Sequence, residues 1–460
     1  MSTWYRLDSN ARVFPAVTSE NNSVIFRVAV ILKKEVDPEI LQQAADIVIE
    51  RFPMFKVKLD SGLFWNYLYD NRKPLKVQPE QTYPCAVIDP HENNGYLLRI
   101  IYYQRRFALE IFHGLTDGLG ALEFFKTLVY QYLLLMGKDV KDENMILLPE
   151  SMSVPLEAED SYRKYYQKVA IGRLDIETPH IIEGTLFDPY GHHTTQIMVP
   201  ASALIKRAKA IGTTLTVFIT SLLIQAIYLE ESKHKNVTDP IIVGIPVNLR
   251  RIFPSITLRN FYVGTRIIAE MSPNKKLEDI INLTEKQLQE NLTQEHLQLM
   301  LALGTSIRFE RLPLKLVPLF IKNKFTQQIY KRFGSATTIN LSNMGKVQLP
   351  KSMEPYIDKF ELVSYPKEKT PINCAMGTVY DQFNITFVRN IREAGIIDRF
   401  CQLLTKYSGL HLEVYTNNWG ADTSKNTFYP DYGRIQGRQR HKSKSSLKDF
   451  FSEWEAKIHI

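Results

Sequence analysis

Hydrophobic residues recur along the chain with two different periods, which indicates that strands and helices alternate. A period of two residues, or a short continuous apolar run, predicts strands at 23–32, 97–103, 107–113, 241–247, 261–268, 336–340, 360–364, 374–379 and 383–388. A helical period predicts helices at 38–52, 119–136, 215–230, 277–303 and 396–407. The first helix has a recognisable start, because Asp37 can serve as its N-cap and Pro38 suits the first helical position. This succession predicts a mixed α/β fold.

The residues at 138–177 interrupt this pattern. They are polar, rich in acids and aromatic residues, and only weakly periodic, so we interpret them as a surface connection. We therefore predict an N-terminal lobe at 1–177, a C-terminal lobe at 178–420 and a separate tail at 421–460. No repeat of fixed period is present in the sequence.

Length and composition exclude several classes of protein. A chain of 460 residues is long enough for two or three domains, each with its own core. Apolar residues make up 44% and charged residues 23%, proportions unlike those of disordered chains or polytopic membrane proteins. Cys85, Cys374 and Cys401 lie far apart, which argues against a zinc site or a disulfide framework. The first ten residues lack a secretory signal, and we expect a cytoplasmic monomer without a bound metal.

The formal charge is +8, and part of the excess is concentrated near the C-terminus. The stretch 434–448 contains no acid and six basic residues, which are Arg434, Arg438, Arg440, Lys442, Lys444 and Lys448. The rest of the chain is only mildly basic. It lacks the interleaved basic and aromatic residues of a nucleic-acid groove, so we expect no nucleic-acid partner.

The residues at 446–460 predict a short amphipathic helix, with an apolar stripe formed by Leu447, Phe450, Phe451, Trp454 and Ile458. Two interpretations of this helix stay open. Its polar face has at least as many acids as bases, which favours docking of the stripe on the protein's own body. Alternatively, the basic stretch before it draws the helix into weak contact with an anionic membrane surface.

The most informative polar residues lie at 112–118, where the sequence reads Phe-His-Gly-Leu-Thr-Asp-Gly. Alternation along the predicted strand places His113 on the same interior face as Phe107, Leu109 and Ile111. A histidine that a strand delivers to an interior cleft is suited to proton transfer near neutral pH.

Glycines stand on both sides of the turn that follows this strand. Gly114 and Gly118 allow the chain to bend sharply and to approach a neighbouring segment closely, and Asp117 stands at the start of the next helix. An ordinary interpretation competes with a catalytic one, since a buried histidine followed by an aspartate N-cap is common in proteins without such chemistry.

His113, Asp117 and Gly118 form an H-x-x-x-D-G motif after a strand, which resembles the motif of the chloramphenicol acetyltransferase-like acyltransferases. This group includes alcohol acetyltransferases, condensation domains of nonribosomal peptide synthetases and polyketide-associated acyltransferases. The sequence is most similar to the alcohol acetyltransferase branch. Further blocks agree with that branch in the same order, at 4–8 (WYRLD), 64–68 (FWNYL), 245–251 (IPVNLRR), 257–261 (TLRNF) and 338–345 (TINLSNMG). The resemblance implies two lobes with an active-site tunnel between them.

The resemblance also implies a direct acyl transfer from a thioester, most simply acyl-coenzyme A, to a small alcohol or amine. His113 would take the proton of the acceptor, and such a positioned base contributes about 10² to 10⁴ in rate. Ser342 or Asn343 would donate a hydrogen bond to the developing oxyanion, although a Ser-Asn pair is also ordinary turn chemistry. No cofactor would remain bound, because acyl-coenzyme A is a co-substrate.

Asp117 would support the site by pairing with an arginine rather than by touching substrate. We expect Arg250 to be that arginine and take Arg6 as the second candidate, although solvated surface arginines are the ordinary case. Asn260 would brace the cleft from the opposite side.

One departure from the family pattern reduces the number of functions that the resemblance allows. Many condensation domains carry two adjacent histidines, and Phe112 occupies the first of these positions here. A peptide synthetase is therefore disfavoured, while a carrier-protein-dependent ester or amide synthase and a noncatalytic binding relative remain alternatives. The pair His192-His193 lacks partners at metal-ligand spacing, and we interpret it as part of a loop.

Overall fold

A computed structural model describes residues 4–169, 177–187, 191–306, 316–333 and 336–417. These residues form two α/β lobes with separate hydrophobic cores. The prediction of a two-lobed fold with mixed sheets is confirmed. The tail at 421–460, with its predicted amphipathic helix, lies outside the described residues, and the tunnel stays a prediction.

The α-helices of the described residues are α1 (Phe14–Val17), α2 (Pro38–Arg51), α3 (Gly118–Leu135), α4 (Ser161–Tyr165), α5 (Ala201–Ala210), α6 (Leu215–Glu231), α7 (Leu277–Asn291), α8 (Gln294–Ser306), α9 (Leu319–Phe333) and α10 (Gly395–Ser408). The cap of α2 is as predicted, since the Asp37 carboxylate accepts hydrogen bonds from the backbone N–H groups of Glu39 and Ile40. The helices predicted within 277–303 are α7 and α8.

The β-strands are β1 (Trp4–Arg6), β2 (Ile25–Leu32), β3 (Val57–Ser61), β4 (Asn66–Asp70), β5 (Val77–Pro79), β6 (Leu98–Tyr103), β7 (Arg106–Phe112), β8 (His193–Pro200), β9 (Ile241–Asn248), β10 (Tyr262–Ala269), β11 (Ile339–Val347), β12 (Ile357–Val363), β13 (Ile372–Val379), β14 (Gln382–Arg389) and β15 (Glu413–Thr416). Every predicted strand overlaps one of these. The strand predicted at 336–340 is longer than expected and begins later, as β11.

The first lobe is built on a five-stranded sheet in the order β12-β2-β7-β6-β5. The antiparallel β6–β7 pair is the predicted hairpin, and α2 and α3 pack against the sheet. One edge strand corrects the predicted division of the chain. β12 belongs by sequence to the second lobe at 178–420, yet it pairs antiparallel with β2. The boundary near 177 therefore does not separate two independent sheets.

The second lobe is built on a seven-stranded sheet in the order β10-β9-β11-β13-β14-β8-β15. β11 runs parallel to both of its neighbours, β9 and β13, whereas the other pairs of this sheet are antiparallel. The apolar α6 lies within the core of this lobe, against α7 and α10. A third sheet, β1-β4-β3, is attached to the first lobe.

Most described residues of the segment 138–177 are exposed or half-buried, as its composition predicts, but a few buried residues anchor it. Glu157 is buried and forms a bidentate ion pair with Arg51 at the end of α2. Tyr162 of α4 is also buried, and its hydroxyl donates a hydrogen bond to the backbone carbonyl of Tyr262. Glu157 and Tyr162 therefore bind the segment to both lobes, and their partners offset the cost of burying them.

No single helix of the described residues has the length and hydropathy of a membrane span. Helices α5 and α6 would pass the same criterion only as a pair, and they meet at 81°.

Candidate active site

The imidazole of His113 lies where the two lobes meet. The residue follows β7, and its backbone N–H donates to the carbonyl of Val24 at the end of the neighbouring strand, at 2.9 Å. Its ring is surrounded by Phe14 at 5.2 Å, Phe26 at 5.0 Å and Tyr262 at 5.4 Å between ring centroids. The first two belong to the N-terminal lobe and Tyr262 to the C-terminal lobe. The residue as a whole is half-buried.

Asn260 holds the ring from the second lobe. Its side-chain Oδ1 lies 3.0 Å from Nδ1 of His113. Its Nδ2 donates to the backbone carbonyl of His113 and to the Oδ2 atom of Asp8, both at 3.0 Å. Asn260 and Asp8 are both fully buried. The expected brace at Asn260 is thus in direct contact with the histidine.

These contacts assign the position of the ring proton. The Asp8 carboxylate and the His113 carbonyl can only accept, so they require the NH₂ group of Asn260 on their side and leave Oδ1 facing the ring. An acceptor at this position requires a proton on Nδ1 of His113. In the neutral imidazole Nε2 then carries the lone pair, which is the form that a general base needs.

Burial lowers the pKa of His113 below its ordinary value, and the negative charge of Asp117 opposes that shift. The lowered pKa favours the neutral ring near neutral pH. The geometry and the electrostatics therefore lead to the same protonation state.

Asp117 is engaged by the second lobe. Its carboxylate oxygens lie 2.8 and 3.2 Å from two guanidinium nitrogens of Arg250, and it also accepts from the backbone N–H groups of Phe261 and Gly120. It is the N-cap of α3. Arg250 is therefore the arginine that pairs with Asp117. This arrangement joins the turn after β7 to the segment between β9 and β10.

Arg6, the second candidate for pairing with Asp117, makes other contacts. Its guanidinium lies 5.9 Å from the centre of the Trp4 ring, and its backbone carbonyl accepts a hydrogen bond from Arg259. The expectation that Arg6 could pair with Asp117 is wrong, because Arg250 already meets both carboxylate oxygens.

Glycines permit close packing around the turn. A Cβ on Gly118 would lie 2.8 Å from the sulfur of Met344, which places β11 directly against the motif. A Cβ on Gly120 would overlap the backbone carbonyl of Leu258. Gly118 was predicted, whereas Gly120 was not, since nothing in the local sequence indicates which backbone approaches it.

Ser342 and Asn343 lie in strand β11 rather than in a loop. The strand has a register irregularity between Asn343 and Lys346, which explains why the sequence resembles a turn. The Asn343 amide donates to Thr216 Oγ1 at 2.9 Å, and its Oδ1 accepts from the backbone N–H of Gly345 at 2.8 Å. Asn343 is paired with Met376, which belongs to the core of the second lobe, whereas Ser342 is paired with Ala375, which belongs to the core of the first lobe. Ser342 is therefore the better placed of the two to face the histidine.

Asp8 is a site residue that the sequence did not reveal. Besides Asn260, its carboxylate accepts from the backbone N–H groups of Asn10 and Ala11, at 2.9 and 2.7 Å. It lies in the block 4–8 that agrees with the family, but 252 residues separate it from Asn260. Only the position of this block in the shared pattern gave a signal.

His192 lies in the loop predicted there, just before β8, whereas His193 belongs to the strand. Both are buried, and His193 begins β8. Burial lowers the pKa of His192 to about 4 and that of His193 to about 3, so both rings are neutral. Within the described part of the chain, no group of three or more histidine, cysteine or acidic side chains could hold a metal ion.

No protein-family model and no curated protein matches the chain. Solved structures do resemble it. Polyketide synthase associated protein 5 from Mycobacterium tuberculosis has a TM-score of 0.59 and 16% identity, covering 88% of this chain and 98% of its own. TRI101 of F. graminearum, determined with coenzyme A and T-2 mycotoxin, has a TM-score of 0.60 and 11% identity, covering 90% of this chain and 99% of its own.

A nonribosomal peptide synthetase, FmoA3, has a TM-score of 0.58 and 14% identity over 89% of this chain, although the match covers only 44% of that longer chain. At such low identities these likenesses establish the fold alone. The chain thus has the two-lobed fold that acetyltransferases and peptide synthetases also contain.

Proposed function

We propose that this chain is an acyltransferase that moves an acyl group from acyl-coenzyme A to an alcohol or amine, with His113 as the general base. The observation that carries this function is the contact between Asn260 Oδ1 and His113 Nδ1, since it leaves Nε2 unprotonated at the junction of the lobes. Support also comes from the fold, since F. graminearum TRI101, which shares it, was determined in complex with coenzyme A.

In this reaction Nε2 of His113 takes the proton of the acceptor hydroxyl as its oxygen attacks the thioester carbonyl carbon. The carbonyl oxygen becomes an oxyanion in the tetrahedral intermediate. When the intermediate collapses, the carbon–sulfur bond breaks and the thiolate of coenzyme A takes the proton back from Nε2. The products are the ester and free coenzyme A, and His113 is regenerated without a covalent intermediate.

We assign the oxyanion donor to the Ser342 hydroxyl. The amide of Asn343 already bonds to Thr216 and Gly345, so moving it would cost two hydrogen bonds. Replacing Ser342 with alanine should lower kcat by about 10² to 10³, the usual effect of removing one such donor. Asn343→Ala should instead act through stability, which thermal unfolding of both variants would distinguish.

Thiol release from acetyl-coenzyme A in the presence of a panel of alcohols and amines tests the function. We expect release that depends on the acceptor and that falls by about 10² or more in His113→Ala, with an unchanged circular dichroism spectrum. His91→Ala is the matched control, because His91 is an exposed histidine of the same lobe. Full activity of His113→Ala on the same acceptor would contradict the assignment.

The identity of the acyl donor distinguishes this function from its alternatives. Transfer from an acyl carrier protein but not from acyl-coenzyme A would indicate a condensation-type synthase. Binding of acyl-coenzyme A without transfer to any acceptor would indicate a noncatalytic relative. A cytoplasmic location and a monomeric state remain predictions, and gel filtration of the purified chain tests the second.

A further inference from the structure

Helix α9 turns apolar side chains toward solvent. Ile321, Phe325 and Ile329 repeat every four residues along one side, and all three are exposed. Phe320 and Leu316 are exposed beside them, Leu316 to 72%. Lys322 of the same helix is almost fully buried. In the usual arrangement of a surface helix, apolar residues face inward and charges face outward, and α9 departs from it at these positions.

The adjoining hairpin extends this apolar surface. The backbone N–H of Leu319 donates to the carbonyl of Leu63 at 2.8 Å, and Leu63 is itself 49% exposed. Lys322 donates to the carbonyl of Phe64 at 3.1 Å, and its ammonium lies 3.6 Å from the centre of the Trp65 ring. These contacts fix α9 to the tip between β3 and β4. We call the exposed side chains the α9 surface, which consists of Leu63, Leu316, Phe320, Ile321, Phe325 and Ile329.

The charged residues of α9 itself all have one sign. The sequence of α9 contains four basic residues and no acid, and Lys324 is exposed among the apolar side chains. An apolar helical face with basic residues is the combination that inserts into the headgroup region of an anionic bilayer. A second copy of this surface would bring positive charges together, which disfavours self-association.

We propose that the α9 surface docks on anionic lipid membranes. The helix also lies close to the candidate base. Gln327 donates to the backbone carbonyl of Ala16 in α1 at 2.9 Å, and Phe14 of α1 contacts the His113 ring. If the proposed function holds, docking presents the site to acceptors dissolved in the bilayer, and the substrate class is then a membrane-soluble alcohol or amine.

Co-sedimentation of the full chain with vesicles tests docking without any substrate. The vesicles contain phosphatidylcholine alone or phosphatidylcholine with phosphatidylglycerol. We expect binding to the anionic vesicles and a loss of about tenfold or more in Ile321→Glu/Phe325→Glu, because two apolar side chains no longer insert. Ile47→Glu/Ile211→Glu is the matched control, since both isoleucines are exposed elsewhere on the surface, and it should bind like the wild type.

Three results would overturn the proposal. The first is that the wild type fails to bind anionic vesicles. The second is that the α9 double variant binds as tightly as the wild type, which is the result expected if the tail at 421–460 alone mediates binding. Sedimentation velocity could also show that the double variant dissociates a dimer. Acyl transfer to a short, water-soluble alcohol is measured separately, because it tests the proposed function without a membrane. If vesicle binding fails while acyl transfer is retained, only the proposal of membrane docking is rejected. If the chain binds vesicles but transfers no acyl group, only the proposed function is rejected.

Discussion

The pKa of His113 determines the pH range in which the proposed base can act. Burial lowers this pKa, so protonation of Nε2 requires a pH below the ordinary imidazole value of about 6.5. We expect kcat/KM to be constant around neutral pH and to fall only on the acid side, with a midpoint below about 6.5. The measurement is a pH profile of acetyl transfer, with circular dichroism at each pH to exclude unfolding. A midpoint above that value would contradict the assigned neutral state.

Asp8 acts on the base through Asn260. Its Oδ2 atom accepts from the Asn260 amide, whereas its Oδ1 atom accepts from backbone N–H groups. In Asp8→Asn, Oδ1 can still accept from the N–H groups of Asn10 and Ala11, but the charged partner of the Asn260 amide is lost. We expect kcat to fall about tenfold or more while KM changes little, since hydrogen bonds to charged groups contribute about 1.5–3 kcal/mol.

Asp160→Asn is the control for this substitution. Asp160 lies near Asp8 and accepts from the backbone and hydroxyl of Ser9. None of these contacts involves Asn260, so its variant should retain kcat. Equal kinetics of the Asp8 and Asp160 variants would show that the contact between Asp8 and Asn260 does not position the base.

The sequence identified His113, Asp117 and Arg250 because each belongs to a short motif or block. It could not identify the relation between Asp8 and Asn260, which depends on a tertiary contact between distant segments. It also left open which of Ser342 and Asn343 faces the site. The contact of Asn343 with Thr216 in α6 distinguishes them.

At the scale of elements, the ion pair of Asp117 and Arg250 holds α3 against the second lobe. Both side chains are 7% exposed, so a break leaves a buried guanidinium without its carboxylate. We expect Asp117→Asn to lower the free energy of unfolding by about 3–5 kcal/mol and to lower activity as well. Urea unfolding followed by circular dichroism measures the loss. Arg250→Lys retains the charge and should lose less, and an Asp117→Asn loss below about 1 kcal/mol would show that the pair does not stabilise the fold.

The elements that the sequence pattern predicted are ones whose buried residues are mainly apolar, such as β2 and α6. Strand β8 was missed because its buried residues include His193, Thr194 and Gln196, whose polarity resembles a loop. Helix α9 was missed although its apolar residues have helical spacing, and the structure shows them facing outward rather than into a core. Burial of polar residues and exposure of apolar ones both depend on partners that a single sequence does not display.

At the scale of the whole molecule, both halves of the sequence contribute to the core of the first lobe. The core of the first lobe includes Phe360 and Leu362 from β12 and Met353 from the turn before it. Pairing of β12 with β2 crosses the boundary near 177, and so does the ion pair between Asp117 and Arg250. The two lobes are therefore coupled in folding as well as in the arrangement of the candidate site.

This coupling predicts that residues 1–177 do not fold alone. All eight residues of β2 are buried, and without β12 one edge of this apolar strand would face solvent with unpaired backbone groups. We expect the fragment 1–177 to be insoluble when expressed alone and to be recovered in soluble form when it is co-expressed with 178–460. The measurement is the soluble fraction of each, followed by circular dichroism of the recovered complex. A soluble, cooperatively unfolding fragment 1–177 would show that the edge strand from the second half is dispensable and that the boundary predicted from composition separates two autonomous domains.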